Sequence, residues 1–183
     1  LHEQYIIWLT GAIRGELGRS IRLHQPVAQM IAERFPISLQ LATASMLFAL
    51  MISLPAGILS AIRRNTWIDY FCTGMSISGL SIPNFALALL LIYAFAVKLD
   101  WFPITGIGSS VSGDGTLWGT VGPFILPAVA LGAHQMAILT RLLRSSLIDV
   151  LTHDYIRTAY AKGVSNISVI IIHALKNALI PVV

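Results

Sequence analysis

The sequence predicts an all-α, polytopic membrane protein: a transmembrane helical bundle with three full spans and the start of a fourth. Two observations predict it. Of the 183 residues, 56% are hydrophobic and only 11% charged, with a mean hydropathy of +0.77; a water-soluble domain carries about a quarter charged residues. The 12 basic and 8 acidic side chains all fall outside three windows, residues 37–62, 70–97 and 121–140. Each window reaches the ~20 residues that cross ~30 Å of hydrocarbon. One lysine or arginine at mid-bilayer costs about 2.5–3.5 kcal/mol on insertion scales, so charge-free windows of this length are informative.

The elements follow in order. Residues 1–36 form an extracytoplasmic or interfacial segment with short helices, holding Glu3, Arg14, Glu16, Arg19, Arg22, Glu33 and Arg34. "EQYIIWLTGAIRG" spaces Tyr5, Trp8, Leu9, Ala12 and Ile13 as a helix does, and "PVAQMIAERF" opens on a helix-starting proline with Val27, Met30 and Ile31 on one side. The membrane domain occupies 37–183. Its first span, about 37–62, follows Pro36 and ends at "RRN", with Pro55 and Gly57 permitting a kink. The second, about 70–97, contains "GMSISGLSIPNF"; Gly74 and Ser78 form a small-xxx-small pair for close helix approach, and Pro83 interrupts the backbone ladder. The third, about 121–140, carries Pro123, Pro127 and Gly132 before His134 and Gln135. Proline in all three predicts bent helices, around a cavity or simply packed.

Lysine and arginine counts set the orientation. The 63–69 turn holds Arg63 and Arg64, and the stretch after residue 140 holds Arg141, Arg144, Arg157, Lys162 and Lys176. The 98–120 loop holds only Lys98, so it faces outward and the other two face the cytoplasm. The arginines of residues 1–36 then lie outside, accompanied by glutamates. The single cysteine, Cys72, excludes an intrachain disulfide. The opening "LHEQYIIWLTGAIRGELGRS" lacks the basic start and apolar centre of a cleavable signal peptide. A chain starting without methionine and stopping at "ALIPVV" reads as a fragment of a longer membrane protein.

One polar segment, "DYIRTAYAKG" at 154–163, breaks the apolar pattern on the cytoplasmic side. As a helix it presents Ile156, Ala159 and Tyr160 on one side, with Arg157, Thr158, Ala161 and Lys162 around the rest. Asp154 is placed to cap its N-terminus, Lys162 suits the C-terminal dipole, and Gly163 suits a left-handed helix end. Two to three turns are unstable alone, so its own bundle or another protein's groove must hold it. Small Ala159 and Ala161 would admit a partner backbone. By composition alone, a solvated loop helix is the slightly favoured reading.

"DYIRTAYAKGVSNISVIIIHALKNALIP" resembles the cytoplasmic coupling motif, the EAA motif, of ATP-binding-cassette importer permeases, and within them the dipeptide, oligopeptide and nickel group. Of the general pattern, laid on Arg157, Thr158, Ala159, Gly163 and then 173–176, only Ala159, Gly163 and Leu175 match; the peptide-type wording matches nearly throughout. "GELGRS", "ERFPISLQLA", "SIPNF", "FILPAVALG" and "TRLLRSSLIDVL" are similar to that group too. The resemblance implies a type I importer permease fold in the bacterial inner membrane. It implies a second permease subunit, two cytoplasmic ATPase subunits that bind ATP and Mg, and an extracytoplasmic solute-binding protein. It also implies an ATPase-coupling segment, about 150–166, with Asp154, Tyr155, Arg157, Thr158, Ala159, Lys162 and Gly163. The substrate class it implies is di- or oligopeptides, with nickel or another small solute as the alternative.

Other features weigh less. Ser76, Ser81, Asn84, His134 and Gln135 are candidates to line the translocation path, although interhelical hydrogen bonds, or carbonyls freed by Pro83, account for them as well. No G-x-x-x-x-G-K-[ST] loop occurs, so ATP binding belongs elsewhere and no cofactor is expected in this chain. No H-x-x-x-H, C-x-x-C, H-E-x-x-H or G-x-S-x-G occurs, leaving neither metal ligands nor a catalytic set. The net charge of +4 reflects cytoplasmic flanks rather than nucleic-acid binding. The rival from another class is an ATP-independent secondary transporter or channel.

Overall fold

The computed structural model describes residues 1–103 and 117–181, with backbone alone for 117–120. The chain divides into two units, Leu1–Ala42 and Thr43–Val183. Among the described residues the regular structure is helical, apart from one isolated bridge between Arg19 and Pro26.

In the first unit, helix α1 (His2–Ile13) buries none of its residues, and Tyr5, Ile6, Ile7 and Trp8 are each more than half exposed. The chain then turns, and the amide of Val27 donates to the Gly18 carbonyl at 3.0 Å. Val27 begins α2 (Val27–Ile62). The sequence led us to expect a short helix at "PVAQMIAERF" followed by a span starting after Pro36. Instead one helix of 36 residues runs through Pro36 and Pro55 to Ile62. Proline deletes one backbone bond, but the apolar run on either side carries the helix on. Val27 and Met30 are half-buried as expected, while Ile31 is exposed.

In the second unit, α2 buries Ala49, Ser53, Gly57, Ser60 and Ala61, a stripe at intervals of three to four residues. It runs parallel to α5 (Leu117–Val150), which it meets at two close points. A Cβ on Gly57 would lie 3.0 Å from Leu143 Cδ2, and one on Gly132 only 2.6 Å from the Ser45 carbonyl oxygen and 2.8 Å from Phe48 Cδ1. Helix α3 (Trp67–Ser81) returns antiparallel to α5. Asp69 meets Arg144 near one end, and a Cβ on Gly79 would lie 3.3 Å from the Ala133 oxygen and Ala137 Cβ farther along. The close approach on α3 thus uses Gly79. Gly74 has nothing within 4 Å of its Cβ position, and Ser78 beside it is exposed, so the expected small pair is left open.

The second apolar window is not one gently kinked helix. At Ile82 and Pro83 the backbone turns extended, and α3 is followed by α4 (Asn84–Leu91) and a π-helical stretch (Ile92–Lys98), the two parts meeting at 102°. By length and composition two helical stretches, Val27–Ile62 and Val121–Val150, suffice to cross a membrane, or three if the bent pair is one span. Of the expected outward loop, residues 104–116 lie outside the described residues. The chain closes with α6 (Asp154–Ala161), α7 (Asn166–Ser168), a second π-helical stretch (Val169–Ala174) and α8 (Leu175–Ala178). A single core ties these to α2 and α5 through Ala61, Leu143, Leu147, Ile156, Val169 and Ala174.

Overpacking a tight helix contact costs about 1–3 kcal/mol, whereas an alanine in an open helical position gains up to about 1 kcal/mol over glycine. Gly132→Ala is therefore expected to lower the thermal unfolding midpoint of the purified protein, and Gly74→Ala to leave it equal or higher. Equal midpoints for the two variants would contradict the α2–α5 contact.

Candidate functional site

Helix α6 is eight residues long and two-faced. Ile156 is 1% exposed and Ala159 is 9% exposed, both within the core formed with Leu147, Val150, Val169 and Ala178. Burying an isoleucine contributes about 1.5–3 kcal/mol, which a helix this short needs to persist. Asp154, Arg157, Thr158, Ala161 and Lys162 are exposed, with Arg157 Nη1 3.7 Å from Asp154 Oδ1.

Both ends are fixed. The N-cap is His153 rather than the expected Asp154, which is the first helical residue and solvent-facing. His153 Nδ1 lies 3.1 and 3.2 Å from the carbonyl oxygens of Asp149 and Val150, so its N–H closes the open end of α5 instead of capping α6. At the other end Gly163 takes φ +79°, the left-handed conformation expected of it. Its amide donates to the Tyr160 carbonyl at 2.9 Å, and the Val164 amide to the Ala159 carbonyl at 3.3 Å. These two bonds are those of a Schellman motif, and Val164 packs on the core below.

Two tyrosines brace the helix sideways. Asn177 Nδ2 donates to Tyr155 Oη at 2.8 Å, and Tyr160 Oη donates to Asn166 Oδ1 at 2.7 Å. Tyr160 is 43% exposed, so it does not share the buried side with Ile156 and Ala159 as its spacing implied. Ala159 is likewise sealed in this chain's own core and offers no surface for a partner's backbone, because the tyrosine phenols reach outward while the small side chain fits under the helix.

On α5, Leu147 of that core lies one turn beyond Arg144, a residue of a buried polar cluster. Arg144 Nε donates to Asp69 Oδ1 at 2.6 Å and Nη2 to Oδ2 at 2.7 Å, a bidentate pair. The carboxylate also accepts from Ser60 Oγ at 2.5 Å, the Asn65 amide at 3.0 Å and, more weakly, Thr73 Oγ1 at 3.5 Å. Asp69 is 2% exposed and Ser60 0%. One carboxylate thereby joins α2, the turn after it, α3 and α5.

The candidate path residues do not gather into one site. Ser76, buried, donates back to the Cys72 carbonyl at 2.9 Å, and Ser81 to the Ile77 carbonyl at 2.9 Å. Both hydroxyls thus serve their own helix. Asn84 is the first residue of α4 and exposed, His134 is half-buried and Gln135 exposed on α5. None of the five lines the cleft between α3 and α5. Among the described residues no group of three His, Cys, Asp or Glu side chains is arranged to hold a metal.

A family model described as "Binding-protein-dependent transport system inner membrane component" matches residues 53–183, from within α2 to the end of the chain. The chain belongs to this family. It is 42% identical to the glutathione transport system permease protein GsiC of Escherichia coli O6:H1, over all of this chain and 56% of the relative. It is 44% identical to the oligopeptide transport system permease protein AppB of Bacillus subtilis, over all of this chain and 58% of the relative. The chain therefore spans just over half the length of these relatives. As an inner membrane component its apolar helices belong in a bilayer, in line with the resemblance read from 154–181.

Sequence reasoning did not find the Asp69 cluster in this inner membrane component. Asp69 and Arg144 lie 75 residues apart, and the arginine was read only as an orientation signal. Breaking a buried pair costs on the order of 3 kcal/mol, so Asp69→Ala is expected to cut the yield of folded, detergent-stable protein sharply. The charge swap Asp69→Arg with Arg144→Asp is expected not to restore it, since Ser60 and Asn65 would then present donors to a cation. Full recovery of thermal stability by the swap would show that simple charge pairing suffices.

Proposed function

We propose that this chain is a permease subunit of an ATP-driven importer, and that α6 is where a cytoplasmic ATPase subunit pushes on it. The observation that carries this reading is the division of α6 into a solvated polar face and an apolar face sealed into the core shared with α5 and α8. A partner engaging the outer face contacts Asp154, Arg157, Thr158 and Lys162. The Tyr155–Asn177 and Tyr160–Asn166 bonds and the Ile156 anchor keep α6 from rolling in its seat. Displacement of α6 then moves the end of α5 and the closing helices together. The arginines at 63, 64, 141, 144 and 157 support a cytoplasmic position for this end.

In this reading ATP and Mg are bound by two ATPase subunits, a second permease completes the path, and an extracytoplasmic solute-binding protein delivers the substrate. Small peptides are the substrate class, supported by the glutathione and oligopeptide names of the relatives.

A valine at position 163 would have to adopt the left-handed conformation with a β-branched side chain, at a cost of about 1–2 kcal/mol or more. A Cβ there meets nothing within 4 Å, so the cost is conformational and confined to the end of α6. In the full transporter, Gly163→Val is expected to leave membrane levels unchanged and reduce ATP-dependent peptide uptake at least tenfold. Unimpaired uptake would overturn the lever assignment. Arg157→Cys is expected to form a crosslink to the ATPase subunit with a short bifunctional reagent; a crosslink to the solute-binding protein instead would reverse the orientation. Uptake of labelled peptide, glutathione and Ni²⁺ in parallel identifies the substrate.

A further inference from the structure

A cleft of about 570 Å³ opens between α3 and α5, and its lining sorts by depth. Thr73, Arg141, Arg144 and Ser145, with Leu142 between the two arginines, line the end nearest Asp69, whereas Ile77, Leu80 and Ile138 line the other. The antiparallel run of the two helices produces this sorting. From Thr73 to Leu80 the chain climbs about 10 Å along α3, while α5 descends from Ile138 to Ser145.

The polar end carries an unspent charge. Arg144 commits Nε and Nη2 to Asp69, which neutralises it, but its side chain is still 29% exposed with further N–H groups available. Arg141 is exposed and takes part in no ion pair among the described residues. Trp67 and Tyr70, 76% and 68% exposed at the same end of α3, are amphipathic rings of the kind that settle at the headgroup layer. On the orientation proposed above, Arg141 lies near the depth of lipid phosphates, where anionic headgroups attract a guanidinium that has no ion-pair partner among the described residues.

We infer that this cleft binds an anionic phospholipid of the cytoplasmic leaflet. Its phosphate is held by Arg141 and the outward donors of Arg144, with the Thr73 and Ser145 hydroxyls in reach of headgroup oxygens. One acyl chain lies along Ile77, Leu80 and Ile138. A zwitterionic lipid carries its own cation beside the phosphate and gains less from Arg141, so the site selects for net negative charge. Because Arg144 also holds Asp69, an occupied cleft braces the joint between α3 and α5. The inference rests on the membrane placement of the proposed permease but not on its coupling to ATP.

The test is native mass spectrometry of the full-length chain purified with its partner subunits, delipidated and titrated with phosphatidylglycerol, phosphatidylethanolamine or inorganic phosphate. Phosphatidylglycerol is expected to bind at least tenfold more tightly than phosphatidylethanolamine. Arg141→Leu is expected to weaken it at least fivefold, and so is Leu80→Trp, which fills the apolar end while keeping both arginines. Inorganic phosphate in the same range is expected not to displace the lipid. Equal affinity for both lipids, no effect of either variant, displacement by inorganic phosphate, or crosslinking of Leu80→Cys to the second permease would each overturn the site. Lipid affinity is read without nucleotide, so a failure of ATP coupling leaves this measurement unaffected.

Discussion

The carboxylate of Asp69 is the constraint on which the end of the bundle where α2, α3 and α5 meet depends. An ion this deeply buried is stable only if its oxygens are paired and hydrogen-bonded, since removing a charge from water costs several kcal/mol. Its partners come from three directions: Ser60 on α2, the Asn65 amide in the turn, and the Arg144 fork on α5. The bidentate geometry has one good orientation, so it fixes rotation as well as distance. Ala61 and Leu143, each adjacent in sequence to a member of this cluster, then fall into the common core.

The floor of α6 is built on that fixed end. Leu147 and Val150 continue α5 past Arg144, and they are the residues against which Ile156 and Ala159 are buried. Rotation of α5 would carry both the clamp and the floor, so neither can change alone. Directional polar bonds at the edge (the two tyrosine–asparagine pairs) supplement an apolar seat that by itself has no preferred angle. A short helix held in this way behaves mechanically as part of the bundle rather than as a loop.

Much of the architecture was legible because lipid imposes a coarse and strict code. The absence of charge from 37–62 and 121–140 located the apolar parts of α2 and α5, and Ile62 ends both the window and the helix. Gly163 was legible because a single backbone conformation makes glycine favourable there. What was illegible depended on three-dimensional partners. Pro36 looked like a boundary, yet the helix crosses it; Pro83 looked like a kink, yet the chain turns through 102°. Proline marks where a backbone bond is lost and does not say how far the chain then swings. Tyr160 was assigned inward by spacing alone, but its phenol finds Asn166 across the surface. The Asp69–Arg144 pair has no local pattern at all, and counting arginines for topology concealed that one of them was already committed.

The sharp corner at Ile82 and Pro83 has a solvation consequence. Where two helices stop and start at such an angle, the last carbonyls of one and the first amides of the next have no intrahelical partner. Hydrocarbon offers none, so backbone of this kind survives at membrane depth only against protein or beside water. The Ile82 amide answers one such carbonyl, that of Ser78, at 3.3 Å, while the Ser81 hydroxyl turns back to Ile77 within the helix. At membrane depth such a corner requires water or covering protein beside it, a demand set by the main chain whatever side chains surround it.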